Sequence, residues 1–524
     1  MTLAEKPQDV GVDDPLPAGQ RREGYFYGGF RALHRMEVMK EARLPAQHPR
    51  MTHPPERSLA SMAKVNTPCP LNSTVLLDGN LKQLHRAYAW AFNGQLFAGI
   101  RAHRNTTWTV VDFVLLALLW VWSERTTLTG AFDHASQLCR KLLGKVVLKT
   151  YTGFADALTT WTPVLIPLLW ERLHERMAAV AGPFWRIGPW LPLAVDGSRT
   201  TTPRTRQNEK AFCARRYGQG PRARSRTKWK NKRRRQKKLT PVHPQIWLTL
   251  VWHMGMRMPW AWKCGPSNSS ERGHFAELLG TQNYPEKTLF CGDAGFVGYE
   301  LWKAMADRGH HFLMRVGSNI RLLRRLGDAK HRGDLVHFWP NAVAARNQPP
   351  MRLRLLKFQT GRCTIYAVTN VLSERDLTVR QSQSLYAQRW GVEVQFRSLK
   401  QTFGRGQLHS RTPERAYAEL EWSLLGLWLI QLLAASEQIP AGIDPGRTSV
   451  SVAVQVFRDA MRLGLPKKLR KGLREAVKDS YQRTSSKRAR YRPKNKDKPS
   501  AKRPVVRAAT AKQRQKYRRL LGKG

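Results

Sequence analysis

Four side chains near residue 390 are spaced so that they could act together on a charged substrate. Tyr386, Arg389, Glu393 and Lys400 lie at offsets of 0, 3, 7 and 14 along the chain. At about 100° per residue, these offsets fall within roughly 60° of arc on an α-helix. One face of the predicted helix therefore presents a phenol, a guanidinium, a carboxylate and an ammonium. A carboxylate among cations suits metal-dependent phosphoryl transfer on nucleic acid.

Two aspartates upstream could join Glu393. Asp196 ends a predicted strand in Ala-Val-Asp-Gly-Ser, and Asp293 ends another in Cys-Gly-Asp-Ala-Gly. Each sequence is also an ordinary turn, so only the combination is informative. Adjacent strands would bring both aspartates to neighbouring ends, and the later helix would bring Glu393 over them. Small neighbours would let a phosphate approach closely, namely Gly197, Gly292 and Gly295.

Three converging carboxylates repel one another unless a cation neutralises them. Oxygen ligands without His or Cys favour Mg²⁺ or Mn²⁺. Two such ions can activate an attacking oxygen and stabilise a leaving oxygen. The sequence therefore predicts a two-ion Mg²⁺ site at Asp196, Asp293 and Glu393, in which Mn²⁺ can substitute.

The spacing Tyr-x2-Arg-x3-Glu-x6-Lys resembles the motif of IS4-type DDE transposases, which move bacterial insertion sequences. All four positions match, and the pair Arg389-Trp390 is common in that family. The resemblance covers about residues 187–437. It implies a ribonuclease-H-like core, strand cleavage with hairpin formation, and strand transfer in cut-and-paste transposition. It also implies action on terminal inverted repeats and target DNA, by a homodimer assembled on DNA in the bacterial cytoplasm and associated with the nucleoid.

The same resemblance implies DNA contacts for Tyr386, Arg389 and Lys400. Arginine suits a bidentate phosphate contact, and lysine supplies a point charge. Trp390 could stack on an unpaired base or serve as a core or interface aromatic, and the sequence leaves both open.

The charge of the chain indicates a polyanionic partner. Among 524 residues, 90 are Lys or Arg and 37 are Asp or Glu, which gives a formal net charge of +53. DNA or RNA is the expected partner. An anionic membrane surface could also attract such a chain, but the longest apolar run, Val114–Trp122, is too short to span a bilayer. The segment Met1–Asp14 does not resemble a signal peptide. We therefore expect no membrane partner.

The densest basic block, Arg222–Lys238, lies between the first two predicted strands. So many like charges predict disorder without DNA, and a loop this long is either functional or disordered. The block could act as an arm that binds DNA phosphates, or its charges could simply be solvated. Deleting 221–238 is expected to flatten the salt dependence of DNA binding. The candidate DNA contacts in the block are Arg222, Arg224, Lys228, Arg233, Arg234 and Arg235.

The predicted fold class is α/β, with a ribonuclease-H-like catalytic core. Hydrophobic periodicity predicts several helices before the core, the last being Pro163–Met177 with Thr162 as its N-cap. Alternating strands and helices follow, including a strand Leu191–Asp196 and a helix Ser269–Leu279. The predicted organisation begins with a largely disordered segment 1–79 and a helical unit 80–186 that either binds DNA or packs on the core. A catalytic domain 187–440 follows, with a basic loop 203–240 and a β-rich insertion 319–372. A basic, largely disordered tail 441–524 completes the predicted organisation.

Two other functions stay open at this stage. The first is a catalytically inactive, transposase-derived DNA-binding protein. The second is another ribonuclease-H-like nuclease, such as a junction resolvase. The intact acidic residues favour an active enzyme over the first, and the complete motif with its long insertion favours a transposase over the second.

Overall fold

The computed structural model describes residues 79–100, 106–213, 243–318, 320–327, 334–360, 363–462, 468–478 and 503–522. The six candidate DNA contacts of the basic block lie outside the described residues, namely Arg222, Arg224, Lys228, Arg233, Arg234 and Arg235. The same is true of residues 1–78, which make up almost all of the segment predicted to be disordered.

The described chain is a mixed α/β structure built around one ten-stranded sheet. The strands are β1 Leu191–Thr201, β2 Gln245–His253, β3 Met258–Pro266, β4 Thr288–Gly292, β5 His311–Val316, β6 Arg321–Arg324, β7 Leu335–Phe338, β8 Met351–Thr360, β9 Cys363–Thr369 and β10 Val505–Ala508. Their order across the sheet is β10-β6-β7-β8-β9-β5-β4-β1-β2-β3.

Helices pack on this sheet, and further helices precede and follow its strands in the sequence. They are α1 Gly79–Ala91, α2 Val110–Trp122, α3 Leu128–Leu143, α4 Tyr151–Ala181, α5 Arg206–Phe212, α6 Glu271–Thr281, α7 Tyr299–Asp307, α8 Asn341–Ala345, α9 Val379–Gln388, α10 Gly391–Arg397, α11 Pro413–Gln438, α12 Val450–Met461, α13 Leu469–Glu475 and α14 Ala511–Leu521. The helix predicted at Ser269–Leu279 is confirmed as α6, and Ser270 caps it by accepting the N–H of Gly273 at 2.9 Å.

The five strands that carry the candidate site are contiguous. β1, β2 and β3 form an antiparallel meander, whereas β4 and β5 run parallel to β1. β2 is apolar along most of its length because both of its faces are covered, and its residues from Leu248 to His253 are all buried. In the strand order of the sheet, β1 and β4 are direct neighbours and neither lies at an edge.

The first strand is longer than predicted. β1 continues past Asp196 to Thr201, because β2 pairs with it from Leu193 to Thr201. Its parallel pairing with β4 ends earlier, at Ala194 opposite Cys291. Asp196 therefore lies within a strand, at the point where β1 separates from β4. The expectation that the strand ends at Asp-Gly is wrong, since the antiparallel partner holds the backbone extended there.

The predicted β-rich insertion is present and continues the same sheet. β9 pairs antiparallel with β5, and β8, β7 and β6 follow outward. β10 then pairs in parallel with β6, where the N–H of Val505 donates to the carbonyl of Ile320 at 3.1 Å. A strand from the end of the chain thus covers the edge that the insertion would otherwise expose.

The tail predicted to be largely disordered instead contains α12, α13, β10 and α14 in its described parts. Its apolar residues find partners elsewhere in the fold. Phe457 packs on Trp122 with ring centroids 5.0 Å apart, and Tyr517 lies 6.5 Å from the ring of Trp339. These long-range contacts stabilise segments whose local composition predicts disorder.

The helices before β1 share one hydrophobic core with the later helix α11. The ring of Phe113 lies 6.1 Å from that of Trp422, and the indole N–H of Trp122 donates to the carbonyl of Gly426 at 3.1 Å. The core is continuous across residues 186 and 187. These helices therefore pack against α11 and share its core.

The helix α4 begins earlier than predicted. Thr150 caps it, and Pro163 and Pro167 lie inside it. Thr162, the predicted N-cap, instead donates its hydroxyl to the carbonyl of Leu158 and accepts the indole N–H of Trp422 at 2.8 Å. An internal proline costs about 3 kcal/mol, so burial against α11 must offset it.

One helical stretch, Pro413–Ala441, is long and apolar enough to cross a membrane. Within the fold, 94% of its most apolar window is buried. It is thus enclosed by protein, as expected of a core helix.

Candidate active site

Two aspartates face the cleft that opens between β1 and β4. Asp196 projects from β1 with 17% of its side chain exposed, and its Oδ1 accepts the N–H of Gly197 at 2.8 Å. Asp293 directly follows β4 and starts a short 3₁₀ turn, where its Oδ1 accepts the N–H of Gly295 at 2.7 Å. Parallel neighbouring strands bring the two carboxylates to the same end of the sheet, as the sequence predicted.

Arg389 links the strands to the motif helix, the helical segment that carries Tyr386, Arg389, Glu393 and Lys400. Its guanidinium is almost fully buried and lies 3.4 Å from Oδ2 of Asp196 and 3.9 Å from Oε1 of Glu393. It also lies 5.4 Å from the centre of the Tyr386 ring, within cation–π range. A single buried cation therefore holds a carboxylate from β1 and a carboxylate from α10 on the same side of the cleft.

The motif does not lie on one continuous helix. The helix α9 ends at Gln388, α10 begins at Gly391, and a π-helical turn follows over Ser398–Thr402. A Cβ atom at Gly391 would stand 2.0 Å from the Trp252 ring, so only glycine lets the helix approach β2 this closely. The interruption is small, because Arg389 keeps helical dihedral angles of φ −49° and ψ −33°.

The remaining motif residues divide into buried and exposed ones. Tyr386 is buried, at 7% exposure, and the Lys400 ammonium donates to the hydroxyl of Ser198 on β1 at 2.7 Å. Trp390 is 60% exposed. A core role for Trp390 is therefore excluded, and its ring is accessible from solvent beside the cleft.

The electrostatics of the cleft reflect several carboxylates in a confined space. Burial raises the pKa of Asp196, and the Arg389 guanidinium opposes that rise. Burial and the neighbouring Asp196 raise the pKa of Glu393 in the same way. Burial disfavours the Arg389 cation, but Tyr386 and the surrounding carboxylates outweigh it and raise the pKa of Arg389. One cation thus only partly compensates the negative charge.

A fourth carboxylate, absent from the sequence prediction, also faces the cleft. Glu271 is the first residue of α6, and its carboxylate lies against Gly197 and Gly295. Burial, then Asp196 and Asp293, raise the pKa of Glu271 to about 7. No motif marked this residue, because its position depends on how α6 packs on the sheet.

The donor set around the cleft suits a hard divalent cation. The carboxylates of Asp196, Asp293 and Glu393 offer only oxygen, the ligand type that Mg²⁺ and Mn²⁺ prefer. The raised pKa values of Asp196 and Glu393 are those of acids whose negative charge lacks full compensation. In the described part of the chain, no three His, Cys, Asp or Glu side chains lie close enough to hold an ion as they stand, since Arg389 lies between Asp196 and Glu393.

Comparisons with known proteins agree with this geometry. Residues 191–429 match the family model of the transposase DDE domain. The chain is 25% identical over 271 residues to the transposase InsG for insertion sequence element IS4 of Escherichia coli strain K12. That alignment covers 49% of this chain and 56% of the relative, so the chain spans about half the length of the curated relative it matches.

A likeness to a solved structure was also found. The piggyBac transposase synaptic complex with hairpin DNA aligns with 78% of this chain and 85% of that chain, at 12% identity and a TM-score of 0.33. A TM-score this low does not establish a shared fold.

The acidic cleft lies within residues 191–429, the part of the chain that matches the transposase DDE domain. The motif around Glu393 indicated a narrower relationship. That resemblance, to the IS4-type DDE transposases of bacterial insertion sequences, is confirmed by the family model and the IS4 relative together.

Proposed function

We propose that this chain is an active transposase that performs cut-and-paste transposition of an insertion sequence. The observation that carries the proposal is the meeting of Asp196 and Glu393 on Arg389, beside Asp293, within the matched DDE domain. Asp196 and Arg389 are 193 positions apart in the chain, and the fold gathers their charges with that of Glu393 in one cleft, as a jointly used site requires.

We also propose that the five strands β3-β2-β1-β4-β5 form a ribonuclease-H-like core. An antiparallel three-stranded meander followed by two strands parallel to the first supports this assignment. The helices α6 and α7 lie between β3, β4 and β5 in the sequence, in the order expected of that fold.

The proposed chemistry is phosphoryl transfer on DNA. Water attacks a backbone phosphorus, the bond to the 3′ oxygen breaks, and that oxygen leaves as a free 3′-OH. This hydroxyl then attacks a phosphorus of the opposite strand, a P–O bond of that strand breaks with release of its oxygen, and a hairpin forms. Water reopens the hairpin and regenerates the 3′-OH, which attacks a phosphorus of target DNA and displaces a target 3′ oxygen. Mg²⁺ bound to Asp196, Asp293 and Glu393 would supply charge neutralisation for the attacking and leaving oxygens.

The chain's own residues would position the DNA. Arg389 is a planar double donor behind the cleft and suits a phosphate at the cleaved bond. Lys400, held near β1 by Ser198, adds a second positive charge. The exposed ring of Trp390 is available to stack on a base displaced from the duplex. Tyr386 packs under Arg389 and would fix the orientation of the guanidinium.

The proposed partners are the terminal inverted repeats of the element and its target DNA, bound by a homodimer. The net charge of +53 supports a polyanionic partner. Two transposon ends must be brought together for strand transfer, so two copies of the site are needed on one DNA complex.

The first experiment uses the full chain and DNA that carries the element's terminal repeat. Wild-type protein is expected to nick this DNA and form a hairpin with Mg²⁺, and to do neither without it. Glu393→Gln should bind the DNA but leave it uncut. Binding without cleavage by the wild type would favour an inactive DNA-binding protein instead. Cleavage without joining of the 3′-OH to target DNA would favour another nuclease.

A further inference from the structure

Glu271 occupies a position that only the tertiary structure creates. Its side chain reaches from the first turn of α6 to the backbone that follows both aspartates. A Cβ atom added at Gly197 would stand 2.6 Å from Oε1 of Glu271, and one added at Gly295 would stand 3.2 Å from Oε2. One carboxylate oxygen thus lies beside Gly197, the strand residue that follows Asp196, and the other lies at the turn after Asp293.

The carboxylate has no partner that would explain its burial. It makes no hydrogen bond or ion pair with any residue that the structure describes. Two nearby cations, Arg199 and Arg272, oppose the rise in the pKa of Glu271 but form no ion pair with it. Arg199 instead stacks on the Trp247 ring at 4.3 Å, and Arg272 donates to the carbonyl of Val297 at 2.9 Å. A partly buried, unpaired carboxylate beside other acids is unfavourable unless something else compensates its charge.

Another buried acid shows how this fold satisfies a carboxylate that has only a structural role. Glu419 is fully buried and accepts the N–H and hydroxyl of Ser410 at 2.9 and 2.7 Å. It also accepts the N–H of His409 and pairs with Arg405 at 3.7 Å. Glu271 has none of these partners, although it lies in a more strongly acidic neighbourhood.

We infer that Glu271 is a fourth carboxylate of the cation-binding site, in addition to the three that the motif identifies. This inference rests on the proposed function, because it assumes that the cleft binds a divalent cation. Glu271 is contributed by α6 and lies beside Gly197 and Gly295, the residues near Asp196 and Asp293. It would bind the cation through oxygen from the α6 side, whereas Glu393 approaches from α10.

The test is Mn²⁺ binding to the full chain without DNA, measured by electron paramagnetic resonance titration. Glu271→Gln keeps the size of the side chain and removes its charge. It is expected to weaken Mn²⁺ binding at least about tenfold, the effect typical of losing a group that supports a metal site. Cleavage of terminal-repeat DNA should fall in parallel and be partly restored by a higher Mn²⁺ concentration.

Glu277→Gln is the matched control. Glu277 lies on the same helix, but its carboxylate pairs with Lys263 at 2.9 Å and is mostly exposed. This variant should bind Mn²⁺ as the wild type does. Thermal unfolding without metal would show that both variants are folded, and Glu271→Gln should be at least as stable as the wild type because it removes a repulsive charge.

The outcomes separate this inference from the proposed function. If Asp196→Asn loses Mn²⁺ binding while Glu271→Gln binds as tightly as the wild type, Glu271 is not part of the site and the proposed function stands. If the wild type binds no Mn²⁺ and cuts no DNA, both the proposed function and the role of Glu271 are wrong.

Discussion

Two regions of this molecule concentrate charge of opposite sign, and they are built in different ways. The acidic cleft comprises Asp196, Glu271, Asp293 and Glu393, which come from four separate elements of the interior. The cationic edge comprises β6, β10 and α14 at the far end of the sheet. Residues 503–522 contain Lys and Arg but no Asp or Glu. The acidic cleft is assembled by long-range packing, whereas the charge of the cationic edge is already present in a local sequence.

The difference extends to how each region compensates its charge. In the acidic cleft, the buried Arg389 pairs with two carboxylates. On the cationic edge, Arg321, Arg507, Lys512 and Lys516 form no ion pair with any acid in the described chain. Uncompensated charge at an exposed surface is screened by water and salt at little cost, but in a partly buried cleft it raises pKa values. A bound cation would therefore relieve repulsion in the acidic cleft, whereas the positive charge of the cationic edge would attract a polyanion without being buried.

The largest expected effect is the loss of chemistry in the acidic cleft. Asp196→Ala, Asp293→Ala and Glu393→Gln should each lower DNA cleavage on the order of a thousandfold or more, because each removes a ligand that stabilises the transition state. Binding to terminal-repeat DNA should persist. Asp307→Asn, which changes an exposed acid paired with Lys303, serves as the control. Retained cleavage in any of the three would remove that residue from the site.

The cationic edge should affect binding rather than chemistry. The triple variant Arg507→Gln, Lys512→Gln, Lys516→Gln is expected to weaken DNA binding. If these residues bind phosphates, the slope of log K against log salt concentration falls by about 0.9 for each phosphate that the variant no longer neutralises. Binding measured by fluorescence anisotropy over a range of salt concentrations would test this. Cleavage at saturating protein should not change.

The matched control for that variant is Lys512→Arg with Lys516→Arg, which keeps the charge. Its salt dependence should equal that of the wild type. A triple variant with an unchanged slope would show that the cationic edge does not bind DNA. The two regions would then differ in the sign of their charge but not in a shared role on DNA.

A smaller and more local effect is expected from Gly197→Ala. The new methyl group would collide with the Glu271 carboxylate, which can swing away because it is the end of a flexible side chain. Unfolding stability should change by less than about 1 kcal/mol. Mn²⁺ affinity should nevertheless fall, in the same direction as for Glu271→Gln. Gly280→Ala on α6, where no atom lies within 4 Å of the added methyl group, should leave Mn²⁺ affinity unchanged.

The last expected effect is thermal stabilisation by metal. A ligand at about ten times its dissociation constant stabilises the folded state by roughly 1.4 kcal/mol. Mn²⁺ should therefore raise the melting temperature of the wild type by a few degrees, because it relieves the repulsion among the carboxylates. The triple variant of the cationic edge should show the same rise, and Asp196→Ala should show none. Equal rises in all variants would indicate binding outside the acidic cleft.

Several features were predictable because they depend on residues that are close in the sequence. The predicted strand Leu191–Asp196 begins where β1 begins, and the predicted helix Ser269–Leu279 matches α6 to within two residues at each end. The spacing of Tyr386, Arg389, Glu393 and Lys400 identified the family. Hydrogen bonding and side-chain spacing within one element act over a few residues, so their pattern can be read directly.

Other features were not predictable, because tertiary contacts override local preference. Thr162 and Pro163 form a plausible helix start, but burial against α11 carries α4 through both of them. The motif helix is interrupted at Arg389 and Trp390, next to Gly391, where the ring of Trp252 from a distant strand packs closely. Residues 503–522 have the composition of a disordered tail, yet an open sheet edge at β6 provides them with hydrogen-bond partners.

The sequence alone determined the types of the residues that can do chemistry, the excess of positive charge and the family resemblance. The tertiary structure decided which acids meet. Asp196 and Asp293 converge because β1 and β4 are parallel neighbours, and Glu271 joins them because its carboxylate lies against Gly197 in β1 and Gly295 in the turn after β4. A carboxylate acquires this environment from groups that are distant in the chain, and only the folded structure brings those groups together.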